Sequence, residues 1–272
     1  MPELPEVQCV VNTLARIKGK TFSHGKTLNN RLREPVQPDL HQKLSGRQIL
    51  DIQRVGKYIL FHLDQGYLVV HLGMTGSLLI DPEPSKHDRI ELCFTDGSQL
   101  IYKDVRKFGL VLFEDKLEDN KYLRNLGVEP LSDDFSPDRL LAMAQGCRKE
   151  IKVFLLDQRY VTGLGNIYVN ELLYDLRINP FKKAWTLTAA EAERMVPAIK
   201  TMLLKSIEMG GSSISDYVDA DNKKGGFQAT FSVYQKAQDP LGNPVASETQ
   251  GGRSTFYVPN LQGLKPAPGV NA

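Results

Sequence analysis

The sequence predicts an α+β chain in three parts: a β domain carrying a leading helix, then a helical domain, then a terminal β-hairpin. Three observations predict it. Residues 57–114 fall into short apolar or alternating runs rich in β-branched and aromatic residues. Residues 136–209 carry their apolar residues at helical spacing instead. Beyond them a Gly/Ser/Lys-rich loop and a turn-rich stretch separate the last strand-like segments.

In chain order, the opening MPELPEV reads as an extended leader, because Pro5 disfavours helical geometry at Leu4. The leading helix is expected from about Glu6 to Leu14, on the spacing of Val7, Val10, Val11 and Leu14, with acids ahead of it that suit its dipole. KYILFHL, YLVVHLGMTGSLLI, RIELCFTDGSQLIY and GLVLFE are then read as strands, with turns such as Asp96-Gly97 between them, which suggests a sandwich or a barrel. After about Leu117, SPDRLLAMAQ, KEIKVFLLDQ, IYVNELLYDL and TAAEAERMVPAIKTMLLKSIEM are helical. Thr188 with Glu191 forms a capping-box signature, and Gly210-Gly211 stops the long helix. Strand-like segments around Phe231–Tyr234 and Arg253–Val258 supply the terminal hairpin. No internal repeats stand out.

The 272 residues are enough for a proper core, and 41% hydrophobic with 24% charged residues is ordinary for a globular protein. A net charge of +2 and an isoelectric point near 8.3 are too mild to announce nucleic acid, so any basic surface must be local. Cys9, Cys93 and Cys147 are scattered, giving neither a disulfide framework nor a metal-ligand spacing, as expected in a reducing compartment. No charged-then-apolar leader and no run of membrane length stand out, and a soluble intracellular protein is expected.

Four stretches carry chemistry: MPELPEV; RVGKYILF, with Lys57 before an apolar strand; LLDQRYVTGLGNIYVNELLY, with two apolar helices around VTGLGN; and GGRSTFYVPN near the end. Singly, each has a plainer reading as a leader, an exposed lysine, a glycine-packed helical hairpin and a solvated arginine. In this order they resemble the formamidopyrimidine-DNA glycosylases, of the same superfamily as endonuclease VIII, from Pro2 to about Gln262.

The resemblance implies an N-terminal β-sandwich over 1–116, a helix–two-turn–helix domain with a lesion-capping loop over 117–227, and a finger hairpin with its tail over 228–272. It also implies a DNA glycosylase and abasic-site lyase of base excision repair that acts on oxidised purines through a Schiff base. Once the initiator methionine is removed, Pro2 would be the nucleophile, since an α-amino group titrates roughly two units below lysine. Glu3 would serve as general acid–base, and Glu6 would orient this region or simply serve as a first-turn acid. Lys57 would contact the DNA backbone and assist β-elimination, and Arg253 would grip the phosphates flanking the lesion.

Lys152 and Asn166 match DNA-binding positions of the family, Asn166 at a helix N-terminus suited to phosphate. Met74, Arg106 and Phe108 match its inserted residues, Phe108 wedging between base pairs and Arg106 taking the orphaned base, cytosine by preference. His87 matches a DNA-contacting histidine, and Arg89 stands where the family often has a second one; a phosphate contact would survive that change. Ser215 stands where the family often has arginine.

One departure is plain. The family usually closes its hairpin with Cys-x2-Cys-x16-Cys-x2-Cys around zinc, and Gln238, Leu241, Val258 and Leu261 occupy those places here. No metal and no cofactor are therefore expected. This zincless finger would be held by apolar contacts among Leu241, Val258, Leu261 and nearby prolines. The expected partner is damaged double-stranded DNA, met by a monomer with no membrane role. Two rival readings are an endonuclease VIII-like enzyme for oxidised pyrimidines and a non-catalytic protein that binds damaged DNA.

Overall fold

The computed structural model describes residues 2–214 and 217–263. The chain divides into two compact units, one of Met1–Asn125 with Ser206–Gln228, the other of Leu126–Lys205 with Ala229–Ala272.

The first unit is a sandwich of two four-stranded antiparallel sheets. One orders β1 (Phe22–Thr27), β6 (Asp88–Phe94), β7 (Gln99–Asp104) and β5 (Gly76–Ile80); the other orders β2 (Ile49–Val55), β3 (Tyr58–Leu63), β4 (Tyr67–His71) and β8 (Leu110–Glu114). Tyr58 lies opposite His71, and His71 opposite Leu110, so three strands bring their ends to one edge. β3 is buried nearly throughout rather than on alternate residues. One face, with Ile59 and Phe61, packs in a core shared by the facing sheet and by helix α1 (Leu4–Leu14), which contacts β2 and β3; Tyr58, on the alternate face, lies against the rings of His71 and Tyr122. Val7, Val10 and Leu14 join Phe22, Phe61, Leu68, Ile90 and Leu100 in one core, where each large side chain stabilises by roughly 1.5–3 kcal/mol.

α1 begins at Leu4, earlier than the sequence suggests. Pro5 sits at its second position, where the missing N–H has no partner to lose. Strands β1 and β2 and a short helix α2 (Leu40–Leu44) escape the sequence reading; β1 has a single buried residue, Phe22, and exists by pairing with β6.

The second unit contains α3 (Pro137–Gln145), α4 (Ile151–Leu156), α5 (Asn166–Asp175) and most of α6 (Ala189–Glu208). The α6 capping box is present: Glu191 N donates to Thr188 Oγ1 at 3.2 Å, and Thr188 N to Glu191 Oε2 at 2.9 Å. Gly210 and Gly211, both at positive φ, end it as expected, with Gly211 N returning to Ser206 O at 2.8 Å.

The terminal hairpin pairs β9 (Ala246–Gln250) with β10 (Arg253–Tyr257). Its turn is Gly251-Gly252 at φ +57° and +75°, a left-handed pair that glycine alone adopts freely. The expected strand at Phe231–Tyr234 is not one. The backbone N–H groups of Ser232, Val233 and Tyr234 instead donate to the buried carboxylate of Glu171, at 2.7, 3.0 and 2.7 Å.

The two units cut the chain elsewhere than boundaries at 116 and 227 would. The loop after α6 belongs with the sandwich, because Ser212 and Tyr217 bond to Glu6 and Ile80 N donates to Ala220 O at 3.1 Å. The hairpin belongs with the helices, because Lys152, Asn166 and Asn170 all bond to β10.

Candidate active site and nucleic-acid interface

In the first unit, Pro2 and Glu3 directly precede α1 and are buried. Glu3 is the N-cap residue, and its side chain accepts from the backbone of Glu6 while Glu6 Oε2 accepts from Glu3 N at 2.8 Å. The other oxygen of Glu6 takes Ser212 N at 2.7 Å and Ser212 Oγ at 2.9 Å, and Tyr217 OH donates to Glu6 O at 3.1 Å. Glu6 thus caps the helix and also ties the residue-2 end of α1 to the loop after α6. Gly211 allows this approach, since a Cβ there would sit 3.1 Å from Glu6 Cγ and Oε1 at a φ of +80°. Ser215, the arginine-replacing position in this loop, lies outside the described residues.

Lys57 follows Gly56 (φ +58°) in the β2–β3 turn and is 8% exposed, not the free surface lysine of the plain reading. Its charge reaches His71, which burial, then Arg33, then Lys57 hold down to about 3. His71 Nδ1 accepts from Gly73 N at 3.0 Å and from Arg33 Nη2 at 3.4 Å, so the neutral ring carries its proton on Nε2. This cationic, neutral-imidazole pair at the sheet edge was not legible in the sequence, although "VVHLGM" holds the histidine three residues before Met74.

Met74, Arg106 and Phe108 come together on two loops. Gly73, at φ +63°, lies so close to Phe108 that a Cβ would stand 2.5 Å from the Phe108 carbonyl carbon. Arg33 clamps the second loop, Nε donating to Phe108 O at 3.1 Å. Beneath it, fully buried Asp104 accepts from Thr75 Oγ1 at 2.7 Å, Arg106 N at 3.1 Å and Gly109 N at 2.9 Å. Above it, Met74 is 37% and Phe108 46% exposed, and the Arg106 guanidinium lies 4.9 Å from the Phe108 ring centre. Two large apolar side chains thus stand partly in water over a rigid polar base.

His87 is half-buried; its carbonyl accepts from Asp104 N at 3.1 Å. Arg89 is buried, with Nε donating to Asp104 O at 2.7 Å. That position therefore supports the Asp104 loop rather than offering the expected phosphate contact.

In the second unit, the chain between α4 and α5 is closed by Gln158, which accepts from Gly163 N at 2.8 Å and donates to Leu164 O at 2.9 Å. Asn166 opens α5 and donates through Nδ2 to Ser254 O at 3.0 Å. Lys152 corrects the expectation of a DNA-binding lysine. It is fully buried, donating to Ser254 O at 2.9 Å and Thr255 Oγ1 at 2.8 Å, and burial followed by the Arg253 charge lowers it to about 8. Asn170, unnoticed in the sequence, accepts from Phe256 N at 2.8 Å. Together these groups fix β10, whose first residue, Arg253, is exposed beside the glycine turn.

The four places that carry thiolates in zinc-bearing fingers do not fit a zinc ion. Gln238 and Leu241 are exposed, Leu241 at 68%. Val258 is buried with Tyr174 and Val233, and Leu261 packs on that cluster. Leu241 is thus no part of the apolar core expected of it. Each knuckle is closed by a side chain instead. Asp239 accepts from Leu241 N at 3.0 Å, Asn243 N at 2.7 Å and Tyr174 OH at 3.0 Å, while Gln262 accepts from Val258 N at 2.8 Å and donates to Ile178 O at 2.9 Å. Among the described residues no group of three His, Cys, Asp or Glu side chains could hold a metal, and the three cysteines are free, burial pushing Cys9 up to about 11.

Residues 1–111 match the model of the formamidopyrimidine-DNA glycosylase N-terminal domain, and residues 126–218 that of the formamidopyrimidine-DNA glycosylase H2TH domain. A formamidopyrimidine-DNA glycosylase of Edwardsiella ictaluri is 42% identical over 269 residues, covering 96% of this chain and all of its own. The crystal structure of the MutM (Fpg) protein of Thermus thermophilus superposes with a TM-score of 0.88 at 35% identity, covering 97% of this chain and 100% of that one. A Lactococcus lactis Fpg mutant in complex with Fapy-dG containing DNA gives 0.87 at 33% identity, covering 96% and 99%.

Proposed function

Because the chain belongs to the formamidopyrimidine-DNA glycosylase family, we propose that it is a bifunctional DNA glycosylase and abasic-site lyase that removes oxidised purines, 8-oxoguanine and formamidopyrimidines, from duplex DNA. The relatives' names and the Fapy-dG complex support that substrate. The observation that carries the reading is the Met74–Arg106–Phe108 group, exposed in water yet pinned from below by Asp104. A glycosylase must take the target nucleotide out of the stack, and an apolar wedge with an adjacent guanidinium can fill the gap and hydrogen-bond the orphaned base.

The Pro2 nitrogen, freed by removal of Met1, attacks C1′ of the extruded nucleotide as the C1′–N bond to the base breaks and the base leaves; the C1′–O4′ bond then opens and an iminium ion forms. Glu3 delivers a proton to the sugar ring oxygen and later moves protons in the elimination. Lys57 and neutral His71, through Nε2–H, hold backbone phosphates, and Lys57 assists loss of the 3′-phosphate. β-Elimination and then δ-elimination leave a gap with phosphate ends, and water hydrolyses the remaining imine to free Pro2. On the second unit Asn166 and Arg253 face phosphates. Lys152 acts through them, as a positioning residue under β10. The finger is read as metal-free and the protein as an intracellular monomer; no helix among the described residues is long and apolar enough to cross a membrane.

Borohydride trapping tests this on a duplex with one 8-oxoguanine opposite cytosine, beside Pro2→Gly. A covalent adduct located on residue 2 is expected. An adduct only with thymine glycol would give the pyrimidine reading instead. Tight binding with no adduct on any lesion or abasic duplex would leave a non-catalytic binding protein.

A further inference from the structure

We propose that the second unit carries a separate nucleic-acid subsite, a cavity beside Trp185 that takes an unpaired nucleotide of single-stranded DNA. The cavity holds about 610 Å³ and is lined by Gln145, Gly146, Arg148, Lys183 and Trp185. Trp185 is the chain's single tryptophan, and 55% of it is exposed. An indole left in water forgoes the large burial that this side chain offers, and a flexible segment would fold it away. Its backbone allows no such escape. Ala184 is fully buried and donates to Lys149 O at 2.8 Å, Thr186 N returns to Lys183 O at 3.0 Å, and Leu187 N to Ala184 O at 2.9 Å. The ring is held out on a fixed turn.

Around that ring the lining supplies two cations, Arg148 and Lys183, and one neutral amide, Gln145. The nearby carboxylate, Glu150, stands at 3.5 Å from Lys183 Nζ and spends its other oxygen on Gln250 Nε2 at 2.7 Å, so Arg148 keeps its charge for a ligand. An aromatic face with two cations is how proteins bind single strands without reading sequence: a base stacks, and phosphates take the charges. A duplex offers no free base face, so the strand must be unpaired.

Continuity argues for nucleic acid over an acidic peptide. Lys183 and Glu150 form a backbone bridge, Glu150 bonds to Gln250, and Gln250 lies directly across the hairpin from Arg253. The subsite therefore adjoins, within one unit, the segment read above as gripping phosphates. It serves a frayed or gapped strand continuing past the hairpin, and none of its residues takes part in excision.

The lone tryptophan makes the test direct. The full-length protein is saturated with a blunt abasic-analogue duplex, and an eight-nucleotide oligothymidine is then titrated while Trp185 emission is followed. A saturable quench is expected, weakening about sevenfold between 50 and 200 mM salt for two phosphates at the single-strand slope. Arg148→Ala with Lys183→Ala should weaken it by about tenfold or more, leaving excision on blunt duplexes unchanged. With a labelled oligothymidine, Trp185→Phe should retain binding and Trp185→Ala lose it. No quench, a quench untouched by the double variant, or an equal response to poly-glutamate would overturn the proposal. Absence of glycosylase activity with the quench intact would overturn the proposed function alone.

Discussion

Replacing Asp104 by Asn keeps the side chain's shape, removes its charge and turns one acceptor into a donor. One oxygen of Asp104 accepts from Thr75 Oγ1 and Arg106 N, the other from Gly109 N. The cheapest arrangement of the amide keeps its oxygen on Gly109 N and points its NH2 at Thr75 Oγ1, whose hydroxyl turns to accept it. Arg106 N still has Thr75 Oγ1 at 2.9 Å. What is lost is one backbone bond and the charge assistance at the others, about 2 kcal/mol. Asp104→Ala leaves Gly109 N without its acceptor in a buried site and adds a cavity, about 4 kcal/mol. Urea denaturation should rank the variants wild type, Asn, Ala in falling stability.

The functional signature is sharper than the stability loss. Asp104 pins the loop that carries Arg106 and Phe108, and on the proposed mechanism that loop serves extrusion of the base, not the elimination. Excision of 8-oxoguanine opposite cytosine should fall about tenfold or more in Asp104→Asn, equal to about 1.4 kcal/mol of barrier. Cleavage of a single-stranded abasic site, which needs no extrusion, should change less than about threefold. Equal losses in the two assays would show that Asp104 supports the whole unit, and no loss in either would refute its role as the pin.

Lys152 should give an alkaline signature: held at about 8 in the fold against about 10.4 free, it is protonated at a cost below pH 8. Between pH 8 and 10.5 the unfolded chain binds the extra proton, so stability rises with pH there, by up to about 3 kcal/mol relative to Lys152→Met; parallel pH profiles for the two proteins would refute it. Glu6→Gln should lose the charge-assisted bonds to Ser212 and Glu3 N, about 1–2 kcal/mol by urea denaturation, and faster proteolysis after α6 should accompany it. An unchanged cleavage pattern would show that other contacts hold the loop.

How far the sequence could be read follows from where each interaction comes from. β3–β8 were legible because each is a local apolar run bounded by turns, and α6 because its capping box and terminal glycines are local signals. β1 was not, since FSHGKT offers one core residue and owes its state to a partner some seventy positions away. Candidate site residues were named from motifs, and the same limit applies to them. Glu6 reaches Ser212 across 206 positions, and Lys152 reaches Ser254 across 102. A lysine that reads as solvent-facing is thereby buried, and a first-turn acid becomes a tether. Phe231–Tyr234 looked like a strand because it is apolar; Glu171, sixty-odd positions earlier, takes its backbone N–H groups instead.

The hairpin supplies the last prediction. A structural zinc ion would impose order on two knuckles at once, from outside the backbone. Here each knuckle is ordered by its own neighbour. Burial pushes the Asp239 carboxyl up, but Asn243, Tyr174 and the backbone N–H groups more than offset this and hold it below its ordinary value. That carboxylate bonds the first knuckle to α5 through Tyr174 OH, and Gln262 bonds the second to Ile178 O. The replacement is therefore divisible. Asp239→Ala should loosen residues 239–243 at a cost of about 3 kcal/mol, since several donors lose one shared acceptor. Gln262 and the Val258 cluster should still hold β10, so phosphate binding through Arg253 should weaken by less than about tenfold. Chelators should leave DNA binding and excision unchanged, and elemental analysis should find no stoichiometric zinc. Zinc at one equivalent per chain, or loss of activity on chelation that added zinc restores, would sink the account of a finger closed by Asp239 and Gln262.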